Sequence, residues 1–264
     1  MKRSAVWLMA LGASLGAWAL PVHATLQAPT KQGSPDAQAT KLAGLDKELA
    51  LARKSFEEKM KSAKDDDERE KLGEESPDKL FLPKYQALAE EAKGSETAAK
   101  ALKQVMLLAG NAGDMDAAKE AAKVMVAEHL DSPEADLLVF AAGQLLGKKE
   151  GPKALEELKA KNKTKPVAAA LLFMEVQKVG GEKGEDAEEL HALYEKMKKD
   201  YGTLKLPWGE ETYGGMADGW LFVADNLSIG KTAPGFEAVD ENGAKWKLED
   251  YRGKVVVIDF WGEW

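Results

Sequence analysis

Asp259 is the residue whose surroundings most invite chemistry. It stands inside the run Val255 to Trp264, read as "VVVIDFWGEW". A carboxylate set among Val257, Ile258, Phe260 and Trp261 is expected to be partly desolvated, which suits it to taking up and releasing a proton. The other candidates are weaker. The triple acid Asp65-Asp66-Asp67 lacks the ligand alternation and the loop glycine of an EF-hand, so it reads as a solvated helix face. His129 and His191 each fall within a helical pattern, and neither belongs to a His-Glu-x-x-His arrangement, so no metal site is expected. Met106, Met125, Met174 and Met197 read as core filler. There is no phosphate-binding glycine loop and no Gly-x-Ser-x-Gly elbow, and no cofactor is expected. The chain has no cysteine, which by itself excludes disulfide frameworks and thiolate chemistry within these residues.

The element that would position Asp259 is a strand. Val255 to Phe260 is a continuous apolar run rich in β-branched residues, the pattern of a strand buried on both faces of a sheet with parallel neighbours. Ahead of it, Phe236 to Val239 and Ala244 to Leu248 read as two short strands, with Asn242-Gly243 as a type I′ hairpin signal. Arg252-Gly253-Lys254 is a turn. From residue 229 onward the pattern is therefore β.

The chain before it is helical. Residues 38–72 form a charged segment in which Leu42, Leu45, Leu49 and Phe56 recur at spacings compatible with a helix. Helices then open at Ser95, Asp114 and Ser132, each a good N-cap, and Pro133 sits where a missing N–H costs nothing. The second of them keeps Ala118, Ala122, Met125 and His129 in register, and the third closes at Gly147. Further helices are expected over Pro152–Ala160, Pro166–Val179 and from Glu185 to about Asp200. The starts at Ser95, Ser132 and Thr164 are spaced like helix–turn–helix solenoids, so a tetratricopeptide-like (TPR-like) array of helical hairpins spans 38–201. Such arrays present a groove to a protein partner or act as a scaffold; a plain helical bundle fits the pattern equally. Residues 202–228 form a Gly- and aromatic-rich connector, whose Trp208, Tyr213, Trp220 and Phe222 are expected to pack against the helices.

Residues 1–24 read as a secretory signal peptide. Lys2 and Arg3 precede an apolar stretch from Ala5 to Leu20, and Val22-His23-Ala24 is a cleavage site of small-x-small type. A periplasmic or secreted location follows, with a retained membrane anchor less favoured. Residues 25–37 are a polar Pro/Gly/Ser linker. The formal charge of −8 argues against nucleic acid as a partner, because phosphate contacts need clustered Lys and Arg.

The segment 229–264 resembles the opening of the thioredoxin-like redoxins, the TlpA-type thiol–disulfide oxidoreductases and their AhpC/TSA relatives. The resemblance rests on Gly230-Lys231-x-Ala233-Pro234-x-Phe236, Asp240-x-x-Gly243, Leu248, Gly253-Lys254, the valine run, and Phe260-Trp261-x-x-Trp264. It implies the start of an α/β thioredoxin-like fold, which with the helical region ahead of it makes a mostly α, helical-hairpin N-terminal domain followed by an incomplete thioredoxin-like one. It also implies that a Cys-x-x-Cys follows Trp264 and that the chain is truncated just before it. By resemblance, Asp259 is the proton acceptor for the missing resolving cysteine, while Phe260, Trp261 and Trp264 flank the thiol site. The partners implied are protein thiols and disulfides and a redox partner protein, with a possible protein partner for the helical domain. The two tryptophans fit the disulfide-exchange branch better than a peroxiredoxin-type antioxidant enzyme. The alternative is a non-enzymatic TPR-like scaffold carrying a degenerate redoxin segment.

Overall fold

A computed structural model describes residues 34–181 and 187–259. The expected signal peptide lies outside them, as do residues 25–33 of the expected linker and Phe260, Trp261 and Trp264.

The first helix, α1 (Pro35–Ser62), begins inside the segment expected to be linker. Ser34 accepts a hydrogen bond from the Ala37 N–H, Pro35 opens the helix and Asp36 lies in its first turn. Ser-Pro-Asp is thus a helix start, in which the proline loses nothing and the acid faces the positive end of the helix dipole. The expected single helical segment over 38–72 is split in two. Asp65 caps α2 (Asp66–Glu74) by accepting from the Glu68 N–H at 2.8 Å, and Asp66 and Asp67 occupy its first turn. The triple-acid run is a cap and a dipole partner.

Ser76, Ser95 and Asp114 cap α3 (Pro77–Glu91), α4 (Glu96–Ala112) and α5 (Met115–Glu128) in the same way. Ser132 caps a single 3₁₀ turn, Pro133–Ala135, that leads into α6 (Asp136–Lys161). At Gly147 the backbone takes φ 79° and ψ 179°, outside the helical region and open to glycine alone at little cost, and α6 breaks there into two legs. The remaining helices are α7 (Lys165–Gly180), α8 (Ala187–Tyr201) and α9 (Tyr213–Asn226). From α3 to α9 each helix packs on the next, and α1 packs on α3.

Two cores hold the array. The first gathers Leu42, Phe81, Tyr85, Leu88, Leu102, Leu108, Met125, Leu138 and Leu158, interleaved with alanines that let helices approach closely. Of the expected stripes, Leu42, Leu49, Ala118, Ala122 and Met125 are buried there, His129 is buried beside them, and Leu45 and Phe56 are half-buried. The second core joins Phe173, Val176, Met197, Leu206, Tyr213 and Ala217. Met106, Met125 and Met197 are core residues, whereas Met174 is 42% exposed and is not one.

Two polar devices lock the joints. Lys103 of α4 reaches the Asp136 carboxylate at 2.8 Å and Glu134 at 3.2 Å, with Asp136 buried at 3% exposure. Burial pushes the Asp136 carboxyl above the usual range, and the Lys103 ammonium opposes that rise. Asn162, also buried, donates to the carbonyls of Leu130 and Ser132 and accepts from the Thr164 N–H and hydroxyl. Replacing Asn162 with Ala strips the Leu130 carbonyl of its donor and the Ser132 carbonyl, which also accepts from the Ala135 N–H, of one of two. Chemical denaturation should show a loss of about 2–3 kcal/mol, and an unchanged midpoint would refute this role for the side chain.

The region expected to be a connector contains α9. Its glycines lower helix propensity, but Thr212 caps it through the Gly215 N–H, and Tyr213, Ala217 and Leu221 are buried at four-residue spacing. Packing outweighs propensity. The expected aromatic packing is found in part. Trp220 lies 5.4 Å from Phe173 and 5.2 Å from Tyr194 between ring centroids, and Trp208 meets Phe140 edge-on at 4.7 Å, while Phe222 is half exposed. The α9 start is pinned by main chain: Gly214 N–H donates to the Gly202 carbonyl at 3.1 Å and Tyr213 N–H to Leu204. A Cβ on Gly214 would lie 2.6 Å from the Gly202 oxygen, so no side chain fits that seam.

Candidate functional site

The segment that carries the candidate site is a small β-hairpin followed by an extended tail. β1 (Glu237–Val239) pairs antiparallel with β2 (Lys245–Lys247), with Ala238 opposite Trp246. The strands are each shorter than expected. The turn also differs from the expected type I′. Gly243 N–H bonds to the Asp240 carbonyl and Asp240 N–H to Ala244, so the turn is centred one residue earlier and Gly243, at φ 82°, forms the bulge of a three-residue loop. The Asp240 carboxylate drives the choice, because it accepts from the N–H groups of both Asn242 and Ala244.

Behind the hairpin, a 3₁₀ turn over Leu248–Tyr251 is tied to it by Leu248 N–H on the Phe236 carbonyl and by Lys247 N–H on the Asp250 carboxylate. Trp246 packs edge-on between Phe236 at 5.4 Å and Tyr251 at 5.7 Å. The chain then turns at Arg252-Gly253-Lys254, as expected, with Lys254 N–H on the Tyr251 carbonyl.

Val255 to Asp259 is where expectation and structure part. These residues form no strand, and Val255, Val257 and Ile258 are 97%, 88% and 48% exposed. Asp259 is exposed as well, so the desolvation expected of it is not found. The physical reason is that a strand buries its side chains only when neighbouring strands and a covering layer exist, and the two-stranded hairpin does not pair with this run. Its intended flankers Phe260, Trp261 and Trp264 lie outside the described residues.

The histidines are far from this segment in sequence and serve other ends. His191 of α8 faces Asp225 of α9 at 3.2 Å on the surface, a cross-helix contact that periodicity alone did not suggest because it needs α9. His129 closes α5 as its C-cap, and its Nε2 is buried without a partner. Among the described residues no cluster of His, Asp and Glu could hold a metal ion, and no helix is long and apolar enough to cross a membrane.

No family model matches the chain, and no solved structure matches it. Similarity to curated proteins is short and specific. The thiol–disulfide oxidoreductase ResA of Bacillus thuringiensis subsp. konkukian is 41% identical over 46 residues, which is 17% of this chain and 27% of that protein. ResA of Geobacillus kaustophilus is 47% identical over 38 residues, 14% of this chain and 22% of that protein. The chain thus spans about a quarter of the length of these curated relatives. Over one short stretch, it is similar to a thioredoxin-like thiol–disulfide oxidoreductase.

Proposed function

We propose that this chain is the leading part of an exported thioredoxin-like thiol–disulfide oxidoreductase acting on protein cysteines in the cell envelope, with its reactive thiols supplied by residues that follow Trp264. The observation that carries this reading is the 46-residue similarity to ResA at 41% identity. Disulfide exchange needs a thiolate that attacks one sulfur of a substrate disulfide and expels the other as a thiolate. A second thiol of the enzyme then breaks the mixed disulfide and releases the reduced substrate. These 264 residues contain no cysteine, so the step belongs to the longer protein.

In that protein Val255–Phe260 becomes a paired strand and Asp259 gains the buried setting it lacks here. There it takes the proton of the resolving thiol, and Phe260, Trp261 and Trp264 wall the reacting sulfurs. The helical array of α1–α9 precedes the redox part as a set of TPR-like hairpins. The leader, residues 1–24, directs export.

The first test is the coding sequence beyond the Trp264 codon. Continuation into Cys-x-x-Cys is expected; a stop codon, or a continuation without two closely spaced thiols, overturns the redox reading. The second test uses the complete protein in an insulin-reduction assay. Asp259→Asn is expected to slow turnover by roughly 10²-fold near neutral pH, and a pH–rate profile identical to the parent's would remove Asp259 from the mechanism. A non-enzymatic scaffold is the reading left if the first test fails, because the helices make up most of the described residues.

A further inference from the structure

A groove opens where α3, α4 and α5 meet, and the redox reading leaves it unused. Its volume is about 480 Å³. One stripe from each helix lines it, and its floor is apolar: Leu102 and Val105 from α4, Ala117 and Ala121 from α5. The alanines leave the floor low, which makes room for incoming side chains. The walls are acidic. Glu90 of α3 and Asp116 of α5 line the groove with exposed carboxylates, and no hydrogen bond or ion pair engages either side chain among the described residues. Glu128 pairs with Lys93, the only basic side chain besides His129 in the lining.

His129 lies at the α5 end of the same groove. It is 6% exposed and its Nε2 has no hydrogen-bond partner, one of two such buried side-chain atoms among the described residues. Buried polar atoms are nearly always satisfied, so an orphan in a groove wall marks a place where a partner is missing.

We propose that this groove is a docking site for a short segment of another protein that carries apolar side chains flanked by lysine or arginine. Leu102, Val105 and Ala121 are themselves buried, so the aliphatic groups rest on the apolar surface left open by Ala89, Ala117 and Val124. Glu90 and Asp116 receive the cations, which sets specificity and speeds encounter. The inference does not depend on thiol chemistry and stands or falls separately from the reading above.

The test is fluorescence anisotropy with the full 264-residue chain and a short fluorescein-labelled peptide alternating leucine and lysine. Saturable binding that weakens with added salt is expected. The double variant Glu90→Lys/Asp116→Lys should weaken it by on the order of tenfold or more. The double variant Glu58→Lys/Glu70→Lys, which changes the same net charge at exposed positions outside the lining, should leave it unchanged. Ala117→Trp, which fills the groove, should abolish binding while the far-ultraviolet circular dichroism stays native; if that variant misfolds, the charge pair alone decides. Equal binding of a leucine–glutamate peptide, equal losses in both charge variants, or a concentration-dependent dimer that competes with the peptide would each overturn the proposal. The last of these would assign the groove to a second copy of the chain.

Discussion

Replacing Lys103 with Met is expected to lower the stability of the helical array by about 3–5 kcal/mol at neutral pH, the cost of leaving a buried charge without its partner. The ammonium sits 2.8 Å from the Asp136 carboxylate, and the lysine and aspartate side chains are only 16% and 4% exposed. Methionine keeps much of the stem's volume, so lost packing accounts for little of the effect. The pH dependence gives the signature. Burial already raises the Asp136 carboxyl, and without Lys103 the rise is larger. A carboxyl raised in the folded state binds its proton more tightly there than in the unfolded chain. Its neutral form therefore supports the fold in acid, and that support is lost as pH climbs through the folded-state value. The gap between Lys103→Met and the parent should narrow as pH falls. Lys103→Met/Asp136→Asn should recover most of the loss, since the only carboxylate that then loses its cation is Glu134, whose side chain is 22% exposed and reaches water. A variant as stable as the parent at pH 7, or a gap that widens in acid, would show that the pair does not hold this joint.

The second large effect is expected from Phe173→Ala. Phe173 meets Phe140 at 5.5 Å, Tyr213 at 6.1 Å, Trp208 at 6.4 Å and Trp220 at 5.4 Å. It lies near the middle of an aromatic cluster that joins α6, α7, α9 and the loop before α9. Truncation removes its own burial and leaves a cavity whose rigid walls cannot close, which puts the cost at about 3–5 kcal/mol. Edge-to-face contacts with its neighbours add to that. Tryptophan emission is the natural readout, because Trp208 and Trp220 both touch the lost ring whereas no tryptophan lies in the first core. The expected result is a red-shifted spectrum together with earlier loss of the α8–α9 pair on denaturation. A native spectrum with an unchanged midpoint would mean that the cluster is not what seats α9.

Local signals were readable wherever a single residue decides a local event. Ser95 and Asp114 cap the helices they were expected to cap, Ser132 caps the 3₁₀ turn that leads into its helix, and Gly147 breaks that helix because its backbone conformation excludes other residues. The hairpin was readable for the same reason, down to a one-residue error in its turn that the Asp240 side chain explains. Helix α9 was not, because its glycines argue against a helix until the burial of Tyr213 and Leu221 is known. Nor was the Lys103–Asp136 pair, whose partners lie on different helices with no pattern linking them. Asp259 shows the limit most clearly. Its apolar neighbours in sequence implied a dry setting, but dryness comes from residues across the fold, and every residue from Val255 to Asp259 stays exposed.

The seam at Gly214 has a mechanical consequence. Main chain bonded to main chain cannot repack as side chains do, so the end of α9 leaves the helical array on a fixed heading. Any swivel between the array and the hairpin must then occur within residues 227–236, where Gly230 at φ 90° is the natural pivot. Were such a swivel to occur, stiffening that short tether, rather than altering the helices or the hairpin, would be the way to limit it.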